Sequence, residues 1–133
     1  MALLNTIKFI DRKIIEDSRG WFYKVIDGKE ENLPSFTGEI YLTMGKPGES
    51  KGGHYHNIAN EWFTIIQGKC LVELCDVETN EKKEFLLGFQ DAKTLYVPKG
   101  IAHNFKNVSL DNFILLAYTD VLFEPGDTIK WNF

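Results

Sequence analysis

Apolar and β-branched residues fall in short runs separated by turn-forming residues: Ile7–Ile10, Trp21–Ile26, Glu39–Met44, Trp62–Gln67, Cys70–Val77, Glu84–Leu87, Thr94–Val97 and Phe113–Val121. Short runs at roughly 8–12-residue intervals are the pattern of an all-β sandwich or barrel. No window carries the i, i+3, i+4, i+7 spacing of a long amphipathic helix. Gln67-Gly68-Lys69 reads as a tight hairpin between two apolar strands, and Glu78-Thr79-Asn80-Glu81 as a second turn, so mostly antiparallel pairing is expected. The segment 45–53, with glycine at 45, 48, 52 and 53 and a proline at 47, reads as a loop at a barrel mouth.

A chain of 133 residues fits one domain, 1–133, and its 44% hydrophobic and 14% aromatic content supplies a core, which excludes intrinsic disorder. Fifteen basic against nineteen acidic residues give a net charge of −4, without the basic excess that a phosphate backbone demands. Nucleic acid is therefore not an expected partner. No apolar run approaches the ~20 residues of a membrane span, and Met1 to Ile10 lacks a basic region followed by an apolar core and cleavage site. A cytoplasmic location with no membrane contact is expected. The two cysteines, Cys70 and Cys75, fall on opposite faces of a strand, so no disulfide is expected between them.

All three histidines lie in two short segments, His54-Tyr55-His56 with Glu61 soon after, and His103 in Pro98-Lys99-Gly100-Ile101-Ala102-His103. In strands, His54 and His56 project to one side, Glu61 shares a face with Phe63 and Ile65, and His103 shares one with Phe105. Apolar neighbours mark those faces as interior. A lone inward histidine is ordinarily a core residue bonded to backbone. Three imidazoles and a carboxylate inside one small barrel need a common partner, and a divalent metal satisfies all four.

Five residues separate Gly48 from His54, one separates His54 from His56, four lead to Glu61 and six to Gly68; Pro98, Gly100, His103 and Asn107 follow. This resembles the two-part signature of the cupins, with Ala92 where the leading glycine of the second part is expected. The resemblance implies an antiparallel jelly-roll barrel, the double-stranded β-helix. It also implies His54, His56, Glu61 and His103 as ligands of one divalent metal, zinc first, with iron, manganese and nickel also accepting that set.

Further motifs narrow the resemblance. Asp17-Ser18-Arg19-Gly20-Trp21-Phe22, Lys51-Gly52-Gly53-His54-Tyr55 and Phe123 to Trp131 resemble the dTDP-4-dehydrorhamnose 3,5-epimerase family. The stretch from His54 to Asn107 also resembles the metal-binding cupin domain of capsular-polysaccharide nucleotide-sugar epimerases. Both imply a nucleotide-linked keto sugar as substrate. By alignment Lys51 and Arg19 take the places of substrate-binding arginines, and Trp21 and Tyr41 serve either as a stacking surface for a base or as core. His56 and Glu61 replace a glutamine and a lysine of the dTDP-sugar enzymes. The tyrosine that serves those enzymes as acid falls at Leu122 or Phe123, and their C-terminal aspartate is expected to lie beyond Phe133.

The resulting expectation is an epimerase or ketoisomerase moving a proton next to the ketone of a nucleotide-linked 4-keto-6-deoxyhexose in surface-polysaccharide synthesis. With metal bound the base is a residue other than a ligand, Tyr118, Tyr55 or Lys51; in an empty site His54 takes that role. The alternative is a regulatory cupin that binds sugar or metal without turnover, or an iron-dependent dioxygenase. Exposed strand edges and the N-terminal strands of residues 1–36 point to a homodimer.

Overall fold

The computed structural model describes residues 2–18, 20–33 and 38–133, and of residues 20–22 the backbone alone. In chain order its strands are β1 (Lys8–Asp11), β2 (Ile14–Asp17), β3 (Gly20–Tyr23), β4 (Glu39–Gly45), β5 (Ser50–Tyr55), β6 (Glu61–Gln67), β7 (Lys69–Asp76), β8 (Lys82–Gly88), β9 (Lys93–Val97), β10 (Ile101–Asn107), β11 (Phe113–Thr119) and β12 (Ile129–Lys130). Three short 3-10 turns are the helical elements among the described residues, and none is long and apolar enough to cross a membrane.

Two five-stranded antiparallel sheets form, ordered β1-β9-β6-β11-β4 and β12-β5-β10-β7-β8, beside a small β2-β3 pair. Alternation makes each strand two-faced, and the inward faces of both sheets meet in one core. Phe63, Ile65, Leu95, Val97 and Leu115 come from the first sheet, and Val72, Leu74, Leu87, Ile101 and Phe105 from the second. The all-β, antiparallel architecture is as the alternation predicts, and the jelly roll is as the resemblance implies. Cys70 faces this core while Cys75 pairs with Ala102 on the outer face, and both are free.

Three local expectations are corrected. Gln67-Gly68-Lys69 does not close a hairpin: β6 and β7 lie in different sheets, and Gly68, at φ 83°, turns the chain from one to the other. A Cβ there would stand 3.0 Å from the Phe113 Cα. The signal for a sharp turn is local, whereas the choice between pairing and crossing belongs to the sheets. The glycine-rich segment 45–53 is a loop only over 46–49, because β5 begins at Ser50 and pairs with β10. The last long run ends at Thr119, whose hydroxyl donates to the Val121 carbonyl at 3.2 Å. The second turn is a true β7-β8 hairpin, in which Asp76 accepts the Glu78 N–H at 2.9 Å and Asn80 adopts φ 64°. Ala92 holds the left-handed conformation, φ 49°, that its motif position reserves for glycine.

The N-terminal segment is held against the outer face of the first sheet. Arg12 donates to Glu30 at 2.7 Å, to the Val25 carbonyl at 2.7 Å and to Thr94 at 3.0 Å. Ile10, Ile26 and Leu33 pack on the outward cluster of Trp62, Tyr96 and Tyr118.

Candidate active site

His54 and His103 are direct register partners across β5 and β10, but the next pair is Gly52 with Asn104. Gly53 is thus an extra residue in β5, a bulge with φ 72°. Lys51, exposed near the start of β5, pairs with the inward-facing Phe105, so unbroken alternation counted from that pair would turn His54 outward. The bulge returns it to the interior. His56 follows in the loop after β5, and Glu61 opens β6 opposite, between Val97 and Thr119. Ligand atoms of the three histidines lie within 4.8 Å of one another. Glu61 Oε1 stands 2.8 Å from His56 Nε2 and 3.4 Å from His103 Nε2.

Backbone carbonyls orient two of these rings. His56 Nδ1 donates to the Asp127 carbonyl at 2.9 Å and His103 Nδ1 to the Ile101 carbonyl at 3.2 Å. A carbonyl only accepts, so both rings carry the proton on Nδ1 and, when neutral, turn a bare Nε2 toward the centre. His56 Nε2 and Glu61 Oε1 are buried 2.8 Å apart, and a neutral His56 with its proton on Nδ1 has nothing to donate across that gap. Two electron-rich atoms aimed at a common point, with a third imidazole beside them, fit a divalent cation.

Burial keeps two of the imidazoles neutral and Glu61 favours the proton on the third. Burial pushes His103, 2% exposed, down to about 4, against the pull of Glu61. Burial also lowers His54, with His56 adding to the effect. His56 is raised: burial opposes protonation, but Glu61 and Asp127 outweigh it. Glu61 is lowered, because His56, His103 and the Tyr41 hydroxyl outweigh its own burial.

A cavity of about 440 Å3 opens above these groups, and His54, His56, Glu61 and Tyr41 reach it. Tyr41 faces inward from β4 and donates its O–H to Glu61 Oε2 at 2.8 Å; burial and that carboxylate raise its pKa. Leu122 and Phe123 also line the cavity and bring no proton. No lysine or arginine lines the cavity among the described residues. Lys51 is exposed outside it, Arg19 lies outside the described residues, and so does the side chain of Trp21.

Tyr118 is not brought to the site. Its strand partners are Trp62 and Ile40, so alternation puts it on the outer face, 5.4 Å from the Trp62 ring centre, while Ala117 faces inward. Tyr55 also points outward and packs edge-on against Trp131 at 5.9 Å. Neither phenol lines the cavity.

Three carboxylates that line the cavity, Glu39, Glu124 and Asp127, are not singled out by the sequence. Asp127, 5% exposed, accepts the N–H groups of Asn57 at 2.7 Å, Ile58 at 2.9 Å and Ala59 at 3.1 Å, which clamps the loop that carries His56. Glu39 reaches the cavity from β4. Pro125-Gly126-Asp127 announces a turn, but nothing local tells which loop its carboxylate will bind.

The family described as Polysaccharide biosynthesis C-terminal domain matches residues 15–129. A spore coat polysaccharide biosynthesis protein, SpsL of Bacillus subtilis, is 25% identical over 114 residues, covering 82% of this chain and 75% of its own. The structure of dTDP-6-deoxy-D-glucose-3,5-epimerase RmlC from Legionella pneumophila, in complex with dTDP-4-keto-L-rhamnose, superposes with a TM-score of 0.80 at 18% identity, covering 93% of this chain and 71% of that one. The capsular polysaccharide assembling protein CapF of Staphylococcus aureus superposes at 0.69 with 24% identity, over 92% of this chain. This chain spans only 34% of that larger protein. These likenesses establish the epimerase-type jelly roll as the fold.

Proposed function

The chain belongs to the polysaccharide biosynthesis C-terminal domain family, and on that premise we propose that it is an epimerase or ketoisomerase acting beside the ketone of a nucleotide-linked 4-keto-6-deoxyhexose. The observation that carries this reading is the buried pair His56 Nε2 and Glu61 Oε1, 2.8 Å apart with no proton between them while His56 is neutral, lining a cavity large enough for a hexose. RmlC, with dTDP-4-keto-L-rhamnose bound, and the polysaccharide protein SpsL support the substrate class.

His54, His56, His103 and Glu61 would hold one divalent metal, zinc in our reading. When bound it supplies Lewis acidity toward the ketone oxygen, which acidifies the neighbouring C–H. The rest falls to the chain. Asp127 and the Ile101 carbonyl fix the two imidazoles before substrate arrives, so no reorganisation is left to the reaction. Val121, Leu122 and Phe123 give the sugar an apolar wall. With no cation among the described lining residues, the diphosphate extends out of the cavity toward basic groups beyond it, of which Lys51 and Arg19 are the ones we assign.

We place the protein in the cytoplasm as a homodimer. Two free cysteines suit a reducing compartment. The edge strand β4 exposes Ile40, Leu42 and Met44 on its outer face, an apolar edge unpaired among the described residues that a second copy would cover.

The test is exchange of solvent deuterium at C3 of dTDP- and UDP-linked 4-keto-6-deoxyhexoses by metal-replete protein, followed by NMR. Exchange at C3 with little at C5, abolished by chelation and restored by zinc or manganese, is expected. A chelator-resistant rate that depends on His54 would favour a metal-free route, and no exchange with any such sugar would favour a binding protein.

A further inference from the structure

The proposed reaction needs a base that is not a metal ligand, and the residues read from the sequence do not provide it inside the cavity. The described ionisable residues that line it are Glu39, Tyr41, His54, His56, Glu61, Glu124 and Asp127. His54, His56 and Glu61 are committed to the cation site. The Tyr41 hydroxyl is spent on Glu61 Oε2. Both oxygens of Asp127 are occupied by the backbone of 57–59. Two carboxylates remain, Glu39 on a strand and Glu124 on the loop before a 3-10 turn.

We propose that Glu39 is the general base of this site, taking the proton from the carbon beside the ketone. The sheet register carries the argument. Thr119 pairs with Glu61 on one side and with Glu39 on the other, so Glu39, Thr119 and Glu61 form one inward row across β4, β11 and β6. Two strand spacings put the Glu39 and Glu61 backbones about 10 Å apart. A sugar whose ketone lies beside Glu61 and the histidines then offers its next carbon to the carboxylate at the far end of the row. The strand start is fixed by Gly38, where a Cβ would stand 2.1 Å from the Thr119 carbonyl, so only glycine lets β4 approach β11 this closely. Position on a strand gives Glu39 a more constant distance than Glu124 has on its loop. In the step, the C3–H bond breaks, its proton goes to a Glu39 oxygen, and its electron pair becomes the enolate of the former ketone. Glu39 exchanges that proton with solvent. Return of a proton to C3 from the same face restores the sugar, and return from the opposite face inverts it.

This assignment rests on the keto-sugar reading, and the experiment separates the two. Wild type, Glu39→Gln, Glu124→Gln and Glu39→Ala are compared for deuterium exchange at C3 of the dTDP- and UDP-linked 4-keto-6-deoxyhexoses, with metal content and substrate KM measured on each. We expect Glu39→Gln to lose about 10²–10⁴-fold in exchange rate with metal content unchanged and KM little altered. Formate should restore part of the rate to Glu39→Ala, which a structural defect would not allow. An active Glu39→Gln beside an active wild type overturns the assignment alone, as does a larger loss in Glu124→Gln or a Glu39→Ala that formate leaves inert. An inactive wild type overturns the assignment and the reading together.

Discussion

A Cβ placed on Gly52 would stand 2.8 Å from the carbonyl oxygen of His103, and Gly52 itself sits at φ 97°. The backbone of one histidine strand therefore touches the other at the point where the Gly53 bulge reverses the facing of β5. Gly52→Ala should cost about 1–3 kcal/mol of stability and, by separating His54 from His103, weaken metal binding. Thermal melts and zinc titration measure the two effects; an unchanged affinity would mean that the bulge does not set the ligand geometry.

Purified protein should hold about one divalent metal per chain. His56→Gln removes one of four ligands and should lower affinity well beyond 10-fold, and removal of metal should lower the melting temperature because binding stabilises the folded state. Elemental analysis and melts with and without zinc check this. Melts indifferent to zinc in a metal-poor sample would count against the site.

Asp127→Ala leaves three backbone N–H groups of 57–59 without their acceptor, at a cost of about 2–5 kcal/mol. Its backbone carbonyl survives, so His56 keeps an acceptor on a loosened loop. The expected result is a lower melting temperature together with a roughly 10-fold weaker zinc affinity, with Asp127→Asn intermediate in both. Loss of stability with full zinc affinity would show that the clamp acts on the loop alone.

Leu42 stands with Ile40 and Met44 on the exposed face of the edge strand β4. If a second copy covers that face, light scattering at micromolar concentration gives a dimer mass, and Leu42→Lys shifts it toward the monomer while leaving the fold intact. A monomeric wild type would refute the assembly.

Period-two alternation and turn residues were enough to read an all-β, mostly antiparallel sandwich or barrel, because half-buried strands must alternate, and the cupin-like signature implied the jelly roll. Two of the candidate ligands, Glu61 and His103, were legible for the same reason, as His103 with Phe105 and Glu61 with Phe63 declare an inward face. Alternation fails wherever a bulge or a sheet boundary intervenes. Gly52-Gly53 reads as loop, yet in the structure it is the bulge that turns His54 inward. Gly68 reads as a hairpin, yet it carries the chain between sheets. Tyr118 lies in the run 113–121, but which of its faces meets the core depends on pairing with Trp62, far away in sequence. The same holds for Asp127, whose three backbone partners lie about 70 positions upstream. The sequence by itself determined which residue types and faces are present. The tertiary structure decided which of them share one cavity, because burial and register between distant strands fix side-chain neighbours that no local pattern encodes.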